Sequence, residues 1–329
     1  MSLSRASLMG GGILLTLFLS HLIWGSVSIP WLEGLMGEVH ISQVHMTILR
    51  DVRLPRALIA LSAGMGLSCC GLMLQTWLGN PLAGPSVLGV TSGAGMGVAL
   101  VVLAGVGSVW WGTTLAAFVG STLTLAMVFG VSHRFKGMAS LLIFGLMLNY
   151  VLGALITVLQ SEADPDSLQQ FVFWGMGTFG QATFNVSIIL FFVILVCMLI
   201  VWKMRKDLDI WTLGPLTAKS MGVNELTLRR QVVLLTGMMT GLLTAICGPV
   251  AFLGLATPHV VKLLFGGRSH RELIPLTAIT GGILALLADW GVKGVFFMDS
   301  GWPLNAVLSL IGGPMVVWVL IKNSKMAAA

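Results

Sequence analysis

Long apolar runs separated by short polar connectors recur along the whole chain. A helix needs about 20 apolar residues to cross a bilayer core of about 30 Å. Seven runs approach or reach that length plainly, at 9–29, 57–78, 86–105, 140–159, 184–202, 232–250 and 273–290. Three weaker ones lie at 111–131, 251–266 and 306–321. The run at 251–266 is short and carries Pro258, His259 and Lys262, which suits a broken or re-entrant helix. The run at 9–29 is long for the apolar part of a signal peptide and lacks a small-residue cleavage site, so it counts as the first span. The runs are too long for the alternation of an outer-membrane barrel. The pattern predicts an all-α polytopic membrane protein of about ten transmembrane helices, a single transmembrane domain over 1–329.

Two connectors stand out. Residues 203–230 form a basic segment of moderate hydrophobicity, which predicts short helices. Residues 161–183 form a long loop in which 166–174 is expected to lie in the interface as a short helix. A third connector, Asn80–Pro85, reads NPLAGP. Its two prolines each lack a donor and restrict the preceding residue, so it is a tight turn.

Composition sharpens the class. Charged residues make up 9% and hydrophobic ones 56%, against about 25% charged in a soluble domain. Soluble enzymes, nucleic-acid binders and disordered chains are thereby excluded. With ten spans and Arg5 inside, 14 of the 18 basic residues fall on the cytoplasmic side. That bias orients the chain with both termini in the cytoplasm; the chain is expected to be a multi-pass protein of the cell inner (plasma) membrane, in contact with lipid. The basic residues left outside are Arg50, Arg53, Arg56 and Lys293. Arg53 and Arg56 flank Pro55 at the outer mouth of the second span. Cations kept against the positive-inside bias suit either an acidic partner outside or snorkelling to lipid headgroups.

Catalytic chemistry finds no support. There is no GxxxxGK[ST] phosphate loop, no HExxH, no CxxC and no Ser–His–Asp order. The chain is expected to be no enzyme, to bind no cofactor and to hold no metal. Cys69, Cys70, Cys197 and Cys247 sit inside apolar runs and read as packing residues, as do the scattered methionines. His259 and Lys262 are ionisable groups in an apolar segment, expected to serve structure or coupling. Asp289 has Lys293 one turn on as its expected partner. Gly89, Gly93 and Gly97, four apart, form a face for close helix approach.

Five ordered blocks carry a family resemblance. They are RLPR through Gln75, NPLAGP, LGV and SGAG (53–95); LGPLTAKSMGV (213–223); GPVAFLGLATPHVVKLL (248–264); LLADW (286–290); and PLNAVLSLIGGPMVVWVLIK (303–322). Together they resemble the permease subunit of type II ABC importers for iron–siderophore, haem and vitamin B12, the FecCD-like permeases. Within that motif set lie Gln75, Asn80, Pro81, Pro85, Gly89, Gly93, Pro258 and His259.

The resemblance implies ten helices per subunit and a dimer, with a second permease copy as partner. It implies two ATPase subunits, which carry ATP and Mg, below the membrane. It also implies a periplasmic or lipoprotein substrate-binding protein above, and no nucleic acid. Docking of that protein would fall to Arg53, Arg56 and Lys293, where Lys replaces the family's Arg. ATPase coupling would fall to Gly214, Ala218, Lys219, Ser220, Met221 and Gly222, and the inner gate to Met138, Ala139 and Ser140. The competing reading is a secondary transporter driven by an ion gradient, which requires paired ionisable groups near the membrane midplane. Only His259 and Lys262 approach that pattern.

Overall fold

A computed structural model describes residues 3–25, 27, 29–30, 42–105, 110–132, 134, 138–293 and 301–327. Among these residues every regular element is helical. In chain order they are α1 (Leu3–Ile23), α2 (Gln43–Leu78), α3 (Val90–Val102), α4 (Trp110–Ser132), α5 (Met138–Glu162), α6 (Pro165–Gly175) and α7 (Phe184–Lys203). They continue as α8 (Arg205–Trp211), α9 (Pro215–Ser220), α10 (Glu225–Cys247), α11 (Leu253–Phe265), α12 (His270–Val292) and α13 (Leu304–Ala327). Seven described helices are long and apolar enough to cross a membrane, and three apolar ones are shorter. The expected all-helical bundle is thus present, with apolar helices at every position where the hydrophobic pattern placed one.

The central element is α2. Its apolar residues run round the whole helix and are buried on nearly all sides, as expected of a helix without a polar face. It packs against α7, α10, α11 and α12. A second group, α3 with α4 and α5, packs beside it through α10. Small residues permit the closest approaches. A methyl group built on Gly93 would overlap Thr124 of α4, and one on Gly97 would overlap the Ala116 carbonyl. Gly89 does not share that face. At φ 77° it ends a 3-10 turn (Pro85–Leu88) and opens α3, a left-handed position that suits glycine.

Two boundaries differ from the hydropathy pattern. The second span begins 14 residues earlier than its apolar run, because α2 continues through the charged stretch as a π-helical turn over Ile48–Arg53. The wider π turn precedes Pro55, whose missing N–H falls in the first turn of the regular helix. The run at 251–266 becomes α11, 13 residues long. At 1.5 Å per residue it rises roughly 20 Å, short of the bilayer core.

The loop at 161–183 contains α6, as expected. Asp164 caps it, its carboxylate accepting from the backbone N–H of Asp166 (3.1 Å) and Ser167 (3.0 Å). Hydrogen bonds from Ser167 and then Asp166 hold this carboxyl below the ordinary carboxylate range. A carboxylate with a lowered folded pKa stabilises above its unfolded pKa and loses that effect as pH falls through the folded value. Asp164→Ala should therefore speed amide exchange in the first turn of α6 at neutral pH and leave the exchange of α7 unchanged. The difference from the parent protein should vanish in acid.

Large apolar side chains of α1, α4, α5 and α7 remain exposed, among them Leu8, Leu115, Tyr150 and Ile189. In water such surface would drive association; in a bilayer it is the contact surface.

Candidate functional site

The sequence-predicted residues collect at opposite ends of the α2–α12 pair. At one end a buried charge cluster forms around Asp289, which is 1% exposed. Nε of Arg56 lies 2.9 Å from each carboxylate oxygen. Nζ of Lys293 lies 3.4 Å away, so the expected i,i+4 pair is present. The fourth member is His21 of α1, whose Nε2 is 3.3 Å from Asp289. The Trp290 indole N–H donates to Nδ1 of His21 at 2.7 Å. The Leu17 carbonyl lies 3.1 Å from the same Nδ1, so His21 is held between its own helix, Trp290 and Asp289.

Arg53 has a different role from its neighbour. It is 5% exposed, and its guanidinium donates to the carbonyls of Leu22 (2.8 Å), Ile23 (2.6 Å) and Val27. Carbonyls at a helix C-terminus lack intrahelical donors, and here Arg53 supplies them for α1. Of the three cations expected to face a partner, Arg56 and Lys293 keep partial exposure, whereas Arg53 is buried against α1.

At the other end lies the NPLAGP turn. Asn80 Oδ1 accepts from the Leu82 N–H at 2.9 Å, closing the turn on itself. His259 Nε2 reaches the Pro81 carbonyl at 2.6 Å. A carbonyl only accepts, so Nε2 carries the proton. His259 therefore pins the turn across the bundle rather than serving the backbone that Pro258 frees. Gln75 Nε2 donates to the Leu255 carbonyl at 3.2 Å, a second tie from α2 to α11. The ring of Pro85 lies against Gly254, where an added methyl would overlap it.

Beside this turn the segment 203–230 folds as α8 and α9, as the pattern predicts. Gly222 at φ 88° follows α9 and turns the chain towards α10. Ala218 is fully buried within the chain, so it cannot meet a partner. The exposed face carries Leu213 (60%), Leu216 (86%) and Met221 (54%), with Lys219 and Ser220 also exposed. Gly214 precedes Pro215, the first residue of α9. Met138, Ala139 and Ser140 open α5. Ser140 is half-buried, and the side chains of Met138 and Ala139 lie outside the described residues.

Asn305 is a structural hub that the motif reading passed over. Its Oδ1 accepts from Ala251 N–H (3.0 Å), and its Nδ2 donates to the carbonyls of Gly175 (3.1 Å) and Pro249 (2.8 Å). It joins α6, α13 and the α10–α11 connection. An amide at the start of an apolar helix was the available signal.

Among the described residues no group of His, Cys, Asp and Glu is arranged to hold a metal ion. Residues 13–322 match the FecCD transport family. The chain is 31% identical to the hemin transport system permease protein HmuU of Yersinia pestis, over 83% of each chain. It is 30% identical to the molybdate import system permease protein MolB of Haemophilus influenzae, over 88% of this chain and 87% of that one. It is 32% identical to the vitamin B12 import system permease protein BtuC of Salmonella typhi, over 90% and 87%. A solved ABC transporter of metal-chelate type in an inward-facing conformation superposes with a TM-score of 0.85 at 29% identity, over 97% of this chain and 99% of that one. With a buried charge cluster at one end and a helical hairpin at the other of an all-helical bundle, the chain belongs to the FecCD transport family and is a permease of the type II ABC importer kind.

Proposed function

We propose that this chain is the membrane pathway of an ATP-driven importer for a bulky metal chelate, an iron–siderophore complex, haem or cobalamin. Two copies enclose the pathway, and separate ATPase subunits bind and hydrolyse the nucleotide. The observation that carries the reading is the α8–α9 hairpin with its exposed Leu213, Leu216 and Met221. An apolar face next to basic residues suits a groove on a soluble partner better than it suits water. This end faces the cytoplasm, in agreement with the basic residues it gathers.

The Asp289 end then faces outward. Arg56 and Lys293 offer charge to an acidic binding protein there, which steers docking. Arg53 supports that surface from beneath by fixing the end of α1. Cargo is the finer question, because relatives of similar identity are named for hemin, molybdate and vitamin B12. A metal chelate agrees with two of those three and with the metal-chelate type of the structural neighbour.

The test is gentle purification of the tagged protein from its native membrane, with the partners identified by mass spectrometry. An ATPase and a binding protein should be recovered, the latter washing off as salt rises. A Soret band on the binding protein would mean haem, a corrin spectrum cobalamin, and an iron charge-transfer band a siderophore. Leu216→Asp should lower ATPase recovery by about tenfold, since a buried interface anchor is typically worth more than about 1 kcal/mol. Uptake that persists with no ATPase present would favour the ion-driven alternative and sink this reading.

A further inference from the structure

The cytoplasmic hairpin is bonded to the bundle by three side chains that no motif explains. Asp209 of α8 accepts from the backbone N–H of His270 at 2.7 Å and from its Nδ1 at 2.7 Å. His270 is the first residue of α12, and the N-cap Ser269 makes no side-chain capping bond. A carboxylate from another helix therefore caps α12, at the end where the helix dipole favours an anion. A carboxylate only accepts, so Nδ1 carries the proton. In the neutral ring, Nε2 then accepts from the Thr76 hydroxyl of α2 at 2.8 Å.

Two residues on, the Trp211 indole donates to the Trp77 carbonyl at 2.9 Å, and both groups are buried. That carbonyl would ordinarily serve the N–H four residues later, but residue 81 is proline and has none. The proline of the turn thus leaves an acceptor that α8 fills. Both ties run from α8 to the α2–α12 pair, although the chain itself continues from α8 back to α7 and, through α9, to α10.

The α2–α12 pair is closely packed. Backbones meet at Gly64 and Gly281, where neither helix has room for a methyl group. Arg56 and Asp289 join the same two helices at the far end. Thr76 and Arg56 are 20 residues apart on α2, a rise of roughly 30 Å. One packed unit therefore reaches from the hairpin to the surface that carries Arg56 and Lys293.

We infer that Asp209, His270 and Thr76 form the joint through which the α8–α9 hairpin and the outer charge cluster move as one body. Docking outside and nucleotide turnover inside are coupled through α2 and α12. The inference rests on the importer reading above. Asp209 and His270 act as positioning residues, holding the unit rather than touching nucleotide or cargo.

The test uses the complete importer in proteoliposomes and reads ATP hydrolysis with saturating binding protein, divided by basal hydrolysis. Asp209→Ala should lower this stimulation ratio by about tenfold while basal hydrolysis and capture of the binding protein stay within about twofold. Asp209→Asn keeps the acceptor oxygen and should restore most of the ratio. Thr76→Val removes one hydrogen bond from the opposite side of His270 and should lower the ratio in the same direction, which covers the case in which Asp209→Ala does not accumulate. An unchanged ratio in Asp209→Ala and Thr76→Val would overturn the joint and leave the importer reading standing. A parent complex that the binding protein fails to stimulate would overturn both.

Discussion

Gly71→Val should abolish accumulation of the folded protein in the membrane. Gly71 sits on the central helix α2 and faces the backbone of Gly254 on α11. A methyl group at this position would overlap the Gly254 carbonyl itself, not the tip of a side chain that can rotate away. Overpacking a core costs about 1–3 kcal/mol when side chains can adjust, and more when a backbone must move. Here the movement would also disturb Gly254 against Pro85 and loosen the turn that His259 pins. In a membrane, small residues that admit such approaches supply much of the packing between helices. Gly153→Ala on α5 is the control, because a methyl there meets nothing within 4 Å. It should be neutral or slightly stabilising, since alanine is favoured over glycine in a helix by up to about 1 kcal/mol. Membrane abundance and thermal unfolding in detergent measure both. Equal abundance of Gly71→Val and the parent protein would show that α2 and α11 do not meet as described.

The same position shows how much the sequence discloses. Gly64, Ser68 and Gly71 recur at helical spacing within one apolar run, so a small-residue face on α2 was readable. What it packs on was not, because Gly254 and Gly281 lie in runs about 180 to 220 residues away. Helix number and the short helices of 203–230 and 161–183 were legible because they follow from local hydropathy and turn chemistry. The start of α2 was not, because Arg50, Asp51 and Arg53 look like a solvated connector until α1 supplies carbonyls for Arg53. Ala218 misled for a related reason. The resemblance placed it among the ATPase contacts, whereas its small side chain packs inside the hairpin. The family motifs located both ends of the bundle, but His21, Asp209, His270 and Asn305 act through partners that no local pattern predicts.

Asp289→Ala should destabilise the protein by about 3 kcal/mol, the lower part of the range for breaking a buried ion pair. The carboxylate faces Arg56, Lys293 and His21 at once. Its removal strands His21, which has no exposure, and leaves two like charges side by side. Arg56 at 22% and Lys293 at 16% side-chain exposure can still turn towards water, which keeps the loss below the top of the range. Asp289→Asn retains an acceptor oxygen but adds an amide donor among donors, so it should fall between alanine and the parent. Arg56→Gln in the Asp289→Asn background removes one of the stranded cations, and the pair should lose less than the two single effects added together. Thermal unfolding of the four proteins in detergent reads this cycle. Additive losses would mean that Arg56 and Asp289 are neighbours without being coupled. A coupled pair would mean that the cations proposed to meet an acidic partner are already held in place by a buried acid. Docking would then meet a preorganised surface, whose orientation is set by the same contact that fixes α2 to α12.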